Sequence, residues 1–531
     1  MAQGQLFAKK SVAHVQAEFN QGELKRTLGP LNLVSLGIGG IIGAGIFVMT
    51  GNAAANYAGP AVMLSFVIAG IACGFAALCY AELASTMPVS GSAYTYSYVT
   101  LGEVFAWAMG WLLLLEYGLA ASTVASGWTG YVVSMLADFG LVIPEALSQS
   151  TLQYRDGAMV VTGHVNLVGA LGIMAVTSLL VLGVHESAQA NNIIVAIKVT
   201  VLLAFILVGI AYVNTAFWDP FIPPNEGGAH FGAQGVLRAA SIVFFAYVGF
   251  EAVSTAAGEA RNPQRDIPIG ILGSLVACTL IYMAVAAVMT GVVPFRELAG
   301  GAPIAVAIDR MNPSWAIVPW PFSDSGTLNI FSFLIKIGAF AGLSSVMLVL
   351  IYAQTRVFYQ MSKDGLVPGI FGRIDARFRT PAAGTLLLGS LIAIAAATLP
   401  LGLLGDLVSL GTALAFAMVC ITVIYMRQAH PDIARPFRVP FYPITPILGV
   451  IACVVFMMGP ILLGLASQVT GVDYWSSIFG LAPGQDGRVP VEPLPSILLL
   501  CYVVIGVLVY ALFGYRNSKI SHPAPTQTLA E

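Results

Sequence analysis

Charge is scarce in this chain. Only 9% of its 531 residues are Asp, Glu, Lys or Arg, where soluble domains carry about 25%. Together with 58% hydrophobic residues and a mean hydropathy of +0.86, the shortage excludes a water-soluble globular fold. It points to a multi-pass protein of the lipid bilayer. Acidic and basic residues nearly balance, at 25 and 23, and no nucleic-acid partner is expected. The six cysteines (Cys73, Cys79, Cys278, Cys420, Cys453 and Cys501) fall within apolar stretches. Structural disulfides are therefore not expected, and no spacing suits zinc. Enzyme signatures are missing as well. There is no Gly-Lys pair for a phosphate-binding loop, and Val48 stands where a third glycine would complete GxGxxG after Gly43 and Gly45. His185-Glu186 does not continue into HExxH, and no serine is framed as GxSxG. No enzyme activity, metal or cofactor is expected. The first thirty residues lack an apolar core with a cleavage site, so no removable signal peptide is expected either.

What is present is a succession of apolar runs. A spanning helix needs roughly 20 apolar residues, and twelve runs qualify: 31–51, 60–87, 102–127, 165–184, 191–213, 235–257, 268–293, 328–354, 381–399, 404–427, 442–467 and 494–515. Lys and Arg set the orientation by the positive-inside rule. With the N-terminus cytoplasmic, sixteen of them fall in inner segments and four (Arg155, Arg296, Arg310 and Arg488) in outer loops. Lys198, Arg238 and Lys336 remain inside spans. An even number of spans then puts both termini, residues 1–30 and 516–531, in the cytoplasm.

Two runs carry glycine-rich interruptions: Gly37–Phe47 (GIGGIIGAGIF) and Phe244–Ser254 (FFAYVGFEAVS), whose Gly43 and Gly249 are 206 positions apart. Glycine inside a helix costs about 1 kcal/mol relative to alanine. In hydrocarbon, broken backbone survives only where it is buried in protein or lines a polar cavity. Paired interruptions in two halves of a membrane protein mark a transporter's midplane substrate site. With the interrupted helices first and sixth, spans 1–5 (31–213) and 6–10 (235–427) form five-helix halves. An odd number per half makes the repeat inverted, and residues 442–515 hold two peripheral spans. The alternative for an isolated glycine motif is close helix packing; two motifs in corresponding places favour the site.

The first motif with its continuation Val48–Gly51 resembles the first helix of the amino acid–polyamine–organocation transporters. Phe244–Gly270, Lys336–Pro368 and Arg435–Pro443 (RPFRVPFYP) resemble the cationic amino-acid transporter subfamily within it, and the short tails and twelve rather than fourteen spans resemble its bacterial branch. The resemblance implies an all-α, leucine-transporter-like 5+5 inverted repeat in a bacterial inner membrane.

An α-amino acid in a dry site needs donors for its carboxylate, and a half-helix N-terminus supplies them. Gly43, Ala44 and Gly45 lie where the first helix restarts, and their small side chains let a ligand approach the main chain. By resemblance, acceptors for the ammonium group come from the carbonyls of Ile41, Phe245 and Val248, and the Phe245 ring gates the outer side. Its alternative is an ordinary core aromatic. Ionisable residues inside spans are functional candidates by default. A buried lysine can alternate between charged and neutral forms, because desolvation disfavours the charge. Lys198, seven residues into the fifth span, suits that role, and by resemblance it replaces a bound sodium ion and couples transport to protons. Snorkelling is its alternative. Ser344 and Ser345 fall at the level of that vacated site and are candidate acceptors for Lys198, unless bonded to their own helix. Glu116 and Glu251 are candidates for contacting substrate or exchanging protons, or structural groups. Lys336 suits snorkelling or an ion pair. Arg356 belongs to an inner gate or merely to the positive-inside bias.

Val346 and Met347 are pocket-facing candidates, and their apolar character weakens the case for cationic substrates, which Glu116 and Glu251 would strengthen. The reading is proton-coupled uptake of neutral amino acids, with cationic ones left open. An obligatory amino acid or polyamine exchanger, or a receptor or channel built on a transporter fold, are the alternatives. Oligomeric state and any small membrane subunit are not legible.

Overall fold

Apolar length sets helix length along most of the chain. The computed structural model describes residues 7–9, 28–88, 92–155, 158–183, 188–227, 229–321, 326–459 and 494–519. Its principal helices are α1 (Pro30–Ile41), α2 (Val62–Thr86), α3 (Glu103–Ala137), α4 (Leu167–Val181), α5 (Ala188–Gly209), α6 (Gly232–Val243), α7 (Pro263–Val292), α8 (Ile330–Lys363), α9 (Ala382–Thr398), α10 (Leu401–Ala429), α11 (Ile444–Ile451) and α12 (Leu494–Val509). Among the described residues, eight helical segments are long and apolar enough to cross a bilayer, and Leu167–Val181, Ala382–Thr398 and Ile444–Val455 are shorter apolar helices. One of the eight is the 57-residue run Pro30–Thr86. Laid straight it would reach about 85 Å, nearly three bilayer cores. It is instead interrupted twice, at Ile42, where ψ is 95°, and at Gly59, where φ is 60° and a proline follows.

Local chemistry explains several boundaries. Asn166 and Asn329 cap α4 and α8 by accepting from the N–H groups of Gly169 and Ser332. The hydropathy reading opens the seventh span at 268, after the charges of Arg261, Arg265 and Asp266. The helix begins five residues earlier, because Pro263 fits its first turn and the Asp266 carboxylate accepts from the Asn262 N–H at 3.2 Å. Helices α3 and α8 run ten and nine residues past the expected ends at 127 and 354. Among the described residues, two short antiparallel strand pairs, β1 (Leu152–Arg155) with β2 (Ala158–Val161) and β3 (Ile317–Pro319) with β4 (Thr327–Asn329), accompany the helices. Most of the two terminal tails, and the stretch 460–493 that takes in the end of the eleventh expected span, lie outside the described residues.

The most extensive packing joins α3 to α8, α2 to α7, α10 to α3, α7 to α1 and α9 to α4. Burial separates centre from rim: 89% of the apolar window in Gly232–Thr255 is buried, against 22% in Ile497–Asn517. The second interrupted helix is therefore central and α12 peripheral.

Candidate functional site

Helix α1 ends at Ile41, and helical bonding resumes with the Phe47 N–H donating to the Gly43 carbonyl at 3.2 Å. The N–H groups of Gly43, Ala44 and Gly45 open the new segment, as the first turn of any helix leaves its donors without partners in its own ladder. The second break follows the same logic. Helix α6 tightens into a 3-10 turn at Phe244–Tyr247, Val248 is extended (ψ 130°), and Gly249 takes φ 119°. That φ favours glycine, and the space does too: a Cβ on Gly249 would lie 2.4 Å from the carbonyl carbon of Gly40. The two breaks touch.

Tyr282 of α7 fastens them together. Its hydroxyl lies 2.7 Å from the Ile41 carbonyl oxygen and 3.1 Å from that of Ala246, so one donor serves both interrupted helices. The sequence marked it only as a tyrosine in an apolar run, whose hydroxyl must find a partner when buried. Tyr282→Phe should leave carbonyl oxygen unsatisfied in a buried place and cost about 1–3 kcal/mol. A thermal melt of the purified variant, several degrees below the parent, checks this; an unchanged melt would remove the clamp.

A cavity lies where the breaks cross. Main chain and small residues of the first break line one wall, from Gly40 and Ile41 to Gly43, Ala44 and Gly45. Phe245 and Val248 line another, and Ala120, Val124, Val346 and Leu350 of α3 and α8 complete it. Its side chains bring neither charge nor hydroxyl, so the polar groups available are those of the main chain. The cavity measures about 10 Å³ as room for the centre of a water-sized sphere, which is about one water. An amino acid needs it to open.

Seven residues singled out in the sequence thus line one cavity: Ile41, Gly43, Ala44, Gly45, Phe245, Val248 and Val346. Ala120, Val124 and Leu350 join them unannounced, since nothing separates them from other apolar residues on long apolar helices. The carbonyls of Ile41 and Phe245 already accept one bond each, from Tyr282 and from the Val248 N–H at 3.1 Å. Each carbonyl oxygen retains a second lone pair. Glu116 and Glu251 are buried but do not line the cavity.

Gly45, besides lining the cavity, is tightly packed: a Cβ there would fall 2.2 Å from both Cα and Cβ of Ala246. At Gly43 its nearest neighbours would be the two Val346 methyl groups, at 3.2 and 3.3 Å. Phe245 is buried against the cavity.

Lys198 does not snorkel. It is buried, its Nζ donates to the Gly39 carbonyl at 3.1 Å, and its aliphatic stem lies against Gly342, where a Cβ would approach it to 3.1 Å. Gly39 belongs to the last turn of α1, where the helix dipole favours a cation. Ser344, expected near Lys198, accepts instead from the Trp128 indole N–H at 2.9 Å and donates to the Phe340 carbonyl. Ser345 donates to the Gly342 carbonyl of its own helix. Arg356 is exposed, with its guanidinium over the Tyr352 ring. Lys336 is paired: its Nζ lies 2.9 Å from Asp138 and 3.1 Å from Asp309. Burial raises the Asp138 carboxyl above its ordinary range, against the pull of Lys336.

These features define a multi-pass membrane protein whose central cavity is walled by the main chain of two interrupted helices. Residues 28–482 match the amino acid permease family, to which this chain belongs. A methylthioribose transporter of Bacillus subtilis is 42% identical over 517 residues, covering 97% of this chain and 99% of its own. A branched-chain amino acid permease of the same species is 40% identical, covering 98% of this chain and 99% of its own. A vacuolar cationic amino acid transporter of Arabidopsis thaliana is 35% identical, covering 80% and 68%.

Proposed function

We propose that this chain carries neutral amino acids inward across the cytoplasmic membrane by alternating access, coupled to protons. The observation that carries the reading is the cavity where the two breaks cross. Main chain is available there for the two charged groups every α-amino acid shares, and apolar side chains surround the part that varies. Glu116 and Glu251 lie off the cavity lining, which leaves a cationic side chain without a counter-charge there. A sugar thioether, the cargo named for one relative, would find no side-chain partner for its hydroxyls. Branched-chain amino acids, the cargo named for another, fit the apolar lining.

The proton-coupling group in this reading is Lys198, which ties α5 to the last turn of α1. Twelve spans with both termini cytoplasmic and a five-plus-five inverted repeat complete it. Packing between helices five apart in order (α2 with α7, α3 with α8, α4 with α9) supports such a repeat. Cysteines introduced at 219–230 should react with an impermeant thiol reagent from outside, and those at 373–379 only from inside. Reversed labelling sinks the orientation.

Proteoliposomes loaded with purified protein test the function. Uptake of labelled leucine should exceed that of arginine and of methylthioribose, and should accumulate only with an inward pH gradient. Leucine exchange without accumulation would instead establish an obligatory exchanger.

A further inference from the structure

Away from the substrate cavity, two carboxyl groups are buried without an ion-pair partner among the described residues. Glu116, midway along α3, has neither carboxyl oxygen hydrogen-bonded, and Glu251 has one oxygen unbonded. The other oxygen of Glu251 accepts from the Gly249 N–H at 2.8 Å, at the second helix break. Glu251 follows Phe250, whose ring packs on Phe416 of α10 with centroids 5.0 Å apart, and Glu116 follows Leu115, which packs on the same helix at Gly411. Among the described residues, neither is ion-paired with Lys or Arg.

Two buried hydroxyls of the neighbouring helices, those of Tyr80 and Thr412, also make no hydrogen bond of ordinary geometry, and that of Thr412 lies beside Glu116. The Tyr80 ring of α2 meets Phe250 and Phe416 edge-on, each at 5.7 Å, and Thr412 lies one turn before Phe416 on α10. Leu115 seats α3 against the same stretch of α10, with its Cδ2 only 3.0 Å from where a Cβ on Gly411 would stand. Among the described residues, Cys73 of α2 and Tyr117 of α3 also interact with both carboxyls, and each is neutral at physiological pH in its ordinary form. Two carboxylates buried this deeply without a cation cannot both stay ionised.

We propose that Glu116 and Glu251 form a proton-binding pair, separate from the substrate cavity and from Lys198. Glu116 holds the proton and donates it toward the unbonded oxygen of Glu251, directly or through one water that Tyr80 and Thr412 also bond. Glu251 stays ionised on the Gly249 N–H. Proton occupancy is thereby tied to the second break, since a charged acceptor holds an N–H more strongly than a neutral one. Gly249 in turn packs against Gly40 of the first break.

The test is infrared spectroscopy of the purified full chain in lipid nanodiscs at neutral pH, read at the carbonyl stretch of a protonated carboxyl. The wild-type protein should show such a band from a group slow to exchange in heavy water. Glu116→Gln should remove it, and Glu251→Gln should keep it at a shifted frequency. A wild-type spectrum without the band overturns the pair with no variant needed. So does a band that survives Glu116→Gln and disappears in Glu251→Gln, which would put the proton on the wrong partner. No uptake is measured, so the result stands whatever the substrate and whatever becomes of Lys198.

Discussion

Lys198→Ala should lose accumulation driven by an inward proton gradient while keeping exchange of substrate across the membrane. The ammonium group of Lys198 donates to the Gly39 carbonyl from a buried position, and Gly40, the next residue, touches the second break. Its hydrogen bond therefore holds α5 to the end of α1 just before the chain opens round the cavity. Hydrogen bonds to charged groups contribute about 1.5–3 kcal/mol, roughly ten- to a hundredfold in a conformational equilibrium. Neutralising the amine would weaken that hold and let the first break move, which is how a proton could gate the cycle. Lys198→Arg should fail in the same assay, because arginine keeps its proton in proteins and its longer, planar head must fit beside Gly342. Exchange needs no net proton movement, so it should continue in the alanine variant. Accumulation in proteoliposomes with an imposed pH gradient, set against sodium alone, is the measurement. If both variants accumulate substrate normally, or the parent needs sodium, Lys198 is not the coupling group.

The second large effect separates two glycines that look alike in the sequence. Gly43→Leu should abolish substrate binding while leaving the melting temperature close to that of the parent. Its new side chain would enter a cavity with room for about one water, and the first contact is with movable Val346 methyl groups. Gly45→Leu should instead lower folded yield and melting temperature, because even its Cβ would collide with the main chain of Ala246. Overpacking of this kind costs about 1–3 kcal/mol or more. Ligand-induced thermal shift with leucine reads binding, and the unliganded melt reads stability. Normal binding by Gly43→Leu would place the substrate elsewhere, and a normal melt for Gly45→Leu would show that the two broken helices are not locked at that point.

Much of this was legible in the chain because hydrocarbon imposes one-dimensional rules. Apolar length, rare charge and loop Lys and Arg can be counted along a sequence, since every span must satisfy its own backbone and cover a fixed thickness. Glycine clusters announce broken helices for the same reason, and the first break at Ile42–Ala44 and the second at Val248–Gly249 lie inside the two motifs read from sequence.

Contacts between helices were the part that the sequence withheld. Glu116 and Lys198 look equally isolated within their spans, yet Lys198 reaches a carbonyl at the first break while Glu116 lies off the cavity. Ser344 sits beside Ser345, but its hydroxyl serves Trp128 of α3. Gly43 and Gly45 differ by two positions, and one faces a side chain while the other is wedged against main chain. Tyr282 joins carbonyls in two helices far from it in sequence. A sequence fixes which residues carry polar groups into the membrane. Which of those groups meet is decided by rotation and crossing of the helices, because hydrogen bonds and collisions act over a few ångströms between segments far apart in the chain, as Tyr282 and Ile41 are.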